Sequence, residues 1–164
     1  IGEESATDKF VVNKCVPAGN LQNPHVTFLS ADDGKDDDTH YTLQLFTRND
    51  NNLIATFSDN SDKDEYPPNT QRDIDMQVMA AKIGGNITQI TPETFTQENF
   101  MNQNGGRLHL TIQPNGHDTW KIGKLTLTLS FGVDQETISW SNVIVSQNSP
   151  NVDLYFDNAF NPLH

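Results

Sequence analysis

The segment SADDGKDDDTH, residues 30 to 40, sets five aspartates into seven consecutive positions: Asp32, Asp33, Asp36, Asp37 and Asp38. Carboxylates at that density repel one another, and they are the natural ligands of a hard cation. Calcium takes about 6–8 oxygens at flexible geometry, which loops rich in aspartate supply from side chains and backbone carbonyls. Zinc asks for histidine or cysteine in a tight tetrahedron, and HDTW (117–120) with a distant His40 supports that poorly. The run is not an EF-hand loop either, because Gly34 is out of step and no glutamate stands at the bidentate position. The competing reading of the same residues is a solvated acidic loop.

Catalytic sets are scarce. No Gly-x-Ser-x-Gly elbow marks a nucleophile. Cys15, the single cysteine, excludes an internal disulfide and reads as a small apolar residue in a strand. The carboxylates stand among like neighbours, whereas acid–base work needs one shielded acid beside one exposed base. His109 falls on a polar strand face and His117 in a turn, both ordinary surface positions. These residues point to binding without catalysis. Aromatics near the acidic run suggest what is bound: Trp120 and Tyr66, with His117 beside them, would offer a sugar ring or a lipid headgroup an apolar face with polar edges. Trp120 reads equally well as packing beneath the loop. Trp140 alternates with Ile138 and reads as core.

The elements that carry these residues have a period of two. In RLHLTIQ, KLTLTLSF and HYTLQLF, apolar residues take one face and Thr, Ser, Gln or His the other, the mark of a half-buried strand. FVVNKC (10–15), HVTFL (25–29), LIATF (53–57), IDMQVMA (74–80), TISWSNVIV (137–145) and VDLYF (152–156) read the same way, separated by turn-rich stretches. With no βαβ rhythm, the fold class is all-β: a single antiparallel β-sandwich of about eight or nine strands. At most one short helix is expected near 92–102, with Thr91 as N-cap, Pro92 in the first turn and Phe95 against the sandwich. The 164 residues form one domain, with an ordered core over about 10–157 and loosely held ends.

Strand direction then gathers the chemistry. If strand 24–30 runs up, loop 31–38 lies at the top. The next two strands bring Asp59, Asp62, Asp64 and Glu65 to the same end, and a rising strand 106–113 brings Asp118. Three acidic loops converge, so Asp118 joins the five aspartates as a calcium ligand.

Net charge is −12, and 16 of the 22 acids are Asp, a turn former and hard-cation ligand. That balance excludes nucleic-acid binding through a basic surface, and attachment to anionic lipid unless cations mediate it. No stretch has the ~18–20 apolar residues of a transmembrane helix. The chain, opening on Ile1, is expected to be a mature secreted protein or an excised domain working outside the cell.

The order of strand, DDGKDDD, HYTLQLF, and later HDTW leading into KIGKLTLTL, is similar to PLAT (LH2-type) and related C2-like sandwiches over residues 24–157. The resemblance implies an eight-stranded sandwich with calcium in the strand-end loops and a lipid, protein or sugar surface beside Trp120. The expected function is a calcium-dependent, lectin-like or membrane-binding recognition module. The alternative is a structural or adhesive subunit (coat, fibre or toxin component) in which calcium only stiffens loops.

Overall fold

Alternation along the strands becomes two faces in the computed structural model, which describes residues 19–78, 81–82, 89–90 and 95–163. In chain order the elements are β1 (His25–Ser30), β2 (His40–Thr47), β3 (Leu53–Asp59), β4 (Gln71–Asp75), β5 (Gln77–Val78), β6 (Ala81–Lys82), β7 (Gln89–Ile90), α1 (Gln97–Asn102), β8 (Gly106–Gln113), β9 (Thr119–Phe131), β10 (Asp134–Ser146) and β11 (Asn151–Phe156). A four-stranded sheet, β10-β9-β1-β4, packs on a five-stranded sheet, β11-β8-β2-β3-β5, and β6 and β7 form a separate pair. All the pairings are antiparallel, so the nine strands of the two sheets make the expected sandwich.

The core lies between the inward faces. Leu43 and Leu45 of β2, Leu108 and Leu110 of β8, and Leu125, Leu127 and Leu129 of β9 are all fully buried. Trp140 is core, as its alternation with Ile138 requires. Each large apolar side chain so buried contributes roughly 1.5–3 kcal/mol.

Three expectations are corrected. IDMQVMA is not one strand. The chain leaves the four-stranded sheet after Asp75 and joins β3 through β5, with the fully buried Met76 at the crossing and its N–H on Pro24 O (2.8 Å). The helix is shorter than expected and its cap is Thr96, whose N–H donates to Asn99 Oδ1 (2.7 Å); residues 91–94 lie outside the described residues. The segment after 157 is packed: Phe160 is buried against Phe100, Phe131 and Phe156, and Leu163 N–H donates to Tyr155 O (2.8 Å). Phe95 packs on the sandwich as expected. The strand expected over FVVNKC, Cys15 and the first nine residues lie outside the described residues.

Candidate functional site

Strand parity carries the three acidic loops to one pole, and hydrogen bonds join them there. Lys35 and Tyr66 exchange backbone bonds (Lys35 N–H to Tyr66 O, 2.9 Å; Tyr66 N–H to Lys35 O, 3.0 Å). Asp64 N–H donates to Asp37 O (3.1 Å). From the third loop, Asp118 Oδ2 accepts Asp36 N–H (3.1 Å) and the Thr39 hydroxyl (2.6 Å). Gly34 allows this approach, because a Cβ there would overlap the Tyr66 carbonyl oxygen.

The hub is Lys35. Its side chain is completely buried, and Nζ donates to Asp64 O (2.6 Å), Thr39 O (2.9 Å) and Asp36 O (3.1 Å). Asp59 Oδ2 lies 3.5 Å away, and the Tyr66 ring centroid 4.7 Å away. An ammonium removed from water needs such partners. Converging carbonyls with one carboxylate are the donor chemistry of a hard-cation site, and here the chain fills it with its own cation.

The metal candidates therefore divide. Asp118 is buried and turned inward onto backbone and Thr39. Asp32, Asp36 and Asp37 are exposed, Asp33 and Asp38 half-buried, and Asp32 Oδ1 is 3.8 Å from Lys121 Nζ. Among the described residues no three Asp, Glu, His or Cys side chains are arranged to hold a metal ion. The six aspartates thus meet at one pole without forming a preorganised cage. Their charge is still felt: burial, then Asp118, Asp38, Asp33 and Glu65, push the Asp36 carboxyl above its ordinary range.

The aromatic candidates are corrected. Trp120 is wholly buried, with Nε1–H on Ser30 Oγ (3.0 Å), and Tyr66 is buried with its hydroxyl 2.6 Å from that of Tyr41. With Phe28 they form one packed cluster beneath the loops, so no ring face of Trp120 is open to a ligand. Burial pushes the Tyr66 hydroxyl up to about 12, and it stays neutral. His117 remains exposed in its turn.

The outer face of the five-stranded sheet holds residues to which the sequence assigned no role. Thr111 Oγ1 lies 2.9 Å from His109 Nε2, and His109 Nδ1 lies 2.6 Å from Asp153 Oδ1, the spacing of a hydroxyl–imidazole–carboxylate relay. However, the Thr111 hydroxyl donates to Asn151 Oδ1 (2.8 Å), and Arg107 shares Asp153 (2.6 Å). β8 is paired on both edges, so its backbone has no N–H pair to offer an oxyanion. The set is a cross-strand clamp. Burial works against ionisation of Asp153, but Arg107 and His109 outweigh it and hold the carboxyl below its ordinary range. Parity could have found this group, since Arg107, His109 and Thr111 alternate on one strand.

On the opposite sheet His25 bridges two carboxylates, Nδ1 to Asp75 Oδ1 (2.9 Å) and Nε2 to Asp73 Oδ1 (3.1 Å). Carboxylates only accept, so both contacts are hydrogen bonds when both ring nitrogens carry protons. The hydrogen bond to Asp75, against a smaller cost of burial, raises the His25 pKa.

No protein-family model, curated protein or solved structure matches the chain.

Proposed function

We propose that the protein is a non-catalytic recognition module for a carbohydrate or lipid surface, with calcium acting on the outer carboxylates of its acidic pole. One observation carries the reading. On loops that the protein has drawn together and fixed, burial first and then the field of Asp118, Asp38, Asp33 and Glu65 raise the Asp36 pKa. Charge held against its own repulsion is released by a cation, and a cation with open coordination can also take a sugar hydroxyl or a lipid phosphate. The resemblance of the acidic segment to PLAT and C2-like sandwiches agrees with that use of strand-end loops, and the reading carries with it a working place outside the cell.

The test is overlay on immobilised glycans and on liposomes, with calcium and with chelator. Binding that calcium restores supports the reading, and binding in neither condition removes it. A second reading, a structural or adhesive subunit, draws on Lys35, whose ammonium fixes the loops without any metal. In that case calcium only stiffens the loops: it raises the melting temperature at constant ionic strength but brings no binding to glycans or liposomes.

A further inference from the structure

Away from the acidic pole, the outer face of the five-stranded sheet carries two of the chain's three arginines, Arg48 and Arg107, on a protein of net charge −12. Each lies over an aromatic ring: Arg107 Cζ is 4.2 Å from the Phe46 centroid, and Arg48 Cζ is 6.0 Å from that of Tyr155. Tyr155 is 40% exposed, the most open aromatic side chain among the described residues, yet its backbone is pinned. Its carbonyl accepts both Leu163 N–H (2.8 Å) and Trp140 Nε1–H (3.1 Å). Asp153, two residues earlier on the same face, is fixed by Arg107 and His109. Arg48, Asp153, Tyr155 and Leu163 line an open groove of about 580 Å³, within the range of ligand sites.

We infer that this groove binds a neutral saccharide. The occupant follows from the chemistry of the walls. A phenol ring on a pinned backbone offers an apolar face to the C–H side of a pyranose, and with two side-chain torsions it loses little entropy. Asp153 is ionised and accepts hydroxyl protons. Among the described residues the Arg48 guanidinium makes one hydrogen bond, long at 3.4 Å, to Asn104 O, and so keeps donors for ring or hydroxyl oxygens. Anionic polymers are repelled by the net charge, and lipid acyl chains would meet a charged pair, which leaves an uncharged, hydroxyl-rich partner. The site goes beyond the calcium reading, since no residue of the acidic pole takes part and chelator leaves it unchanged.

Affinity electrophoresis through gels containing mixed-linkage β-glucan, xylan or galactomannan, all with chelator, tests it. The wild type is retarded by at least one of them. Tyr155→Ala and Arg48→Ala each weaken that affinity about tenfold, the scale of an anchoring side chain. Tyr155→Phe retains it, because stacking does not need the hydroxyl, and unchanged melting temperatures show that the variants fold. Retardation that persists in Tyr155→Ala overturns the groove. If it is then lost in Asp36→Asn/Asp38→Asn, the ligand sits at the acidic pole and binds there without calcium. A wild type retarded by none of the three also overturns the groove, while the calcium-dependent overlay still decides the pole.

Discussion

The two ends of the sandwich are closed by different chemistry. At the acidic end Phe28, Tyr41, Tyr66 and Trp120 pack beneath three loops, and each polar atom they bring inward has a partner: Tyr41 with Tyr66, Trp120 with Ser30. Above them one ammonium ties the loops. At the other end Phe95, Phe100, Phe131, Phe156 and Phe160 close the core with no polar atom in their side chains. There, ring packing joins α1, β9, β11 and the last turn of chain, with backbone hydrogen bonds such as Leu163 N–H to Tyr155 O beside it. The difference separates non-directional burial from directional polar contacts, which fix loop positions and fail abruptly when one partner is removed.

The largest effect is expected at the phenylalanine end. Phe100 is fully buried and touches Phe95, Phe131, Phe156 and Phe160. Phe100→Ala should cost about 4 kcal/mol, the usual scale for deleting a buried ring. Chemical denaturation should show the same loss at pH 4.5 and pH 7.5, because no titrating group is involved. A loss that varied strongly with pH would erase the contrast between the ends.

Lys35→Met comes next, at about 3 kcal/mol, the scale of breaking a buried ion pair from one side. It leaves Asp59 Oδ2, already without a hydrogen bond, as an uncompensated buried charge. Adding Asp59→Asn should recover part of that loss, whereas adding it to Phe100→Ala should not. Purely additive losses in the Lys35–Asp59 double-mutant cycle would show that the pair is not coupled.

How far the sequence reached differs between these ends in the same way. The period of two located the strands, and strand direction located the three loops, since both are fixed by backbone geometry. The inward turn of Lys35 was not legible: a lysine among aspartates reads as solvated, and loop side chains have no period to betray their direction. Gly34 beside it was the available signal. Tyr66 was placed near the right loop but on the wrong side of it, and of the two readings of Trp120 packing beneath the loop holds, because proximity to a polar loop does not say which face of the backbone a ring occupies. Phe160 was missed because a terminal segment offers too few residues for a pattern.

A smaller effect tests the charge left on the acidic surface. Asp36 has its pKa raised in the folded state, so its contribution to stability is complete below the ordinary carboxyl value and is lost as pH rises through the folded one. At neutral pH its ionised form is a liability. Asp36→Asn should therefore stabilise the metal-free protein at pH 7, by about 0.5 kcal/mol once solvent screening is allowed for, and have no effect near pH 3. Millimolar calcium should raise the wild-type melting temperature and do so less in Asp36→Asn. If Asp36→Asn instead destabilises at pH 7, the carboxylate is making a favourable contact and the repulsion argument fails.

The smallest effect belongs to the other cation that faces carboxylates. Histidine is the side chain whose ordinary titration falls near neutral pH, and His25 is such a group. Its clamp ties β1 to β4, an edge strand of the four-stranded sheet. Because the folded pKa of His25 is raised, the stabilisation is complete below the ordinary histidine value of about 6.5 and disappears as pH rises through the folded value. Asp73 shows the reciprocal shift. The Thr27 hydroxyl first, then Gln71, outweighs a small cost of burial, and His25 adds to them, holding this carboxyl below its ordinary range. The pair is more than a third exposed, so screening limits its worth to about 0.3 kcal/mol. Wild type should exceed His25→Gln by that amount at pH 5.5 and match it at pH 8.5, and salt should shrink the difference at the lower pH. A difference that grew with pH would mean that the ring acts through packing and not through its charge.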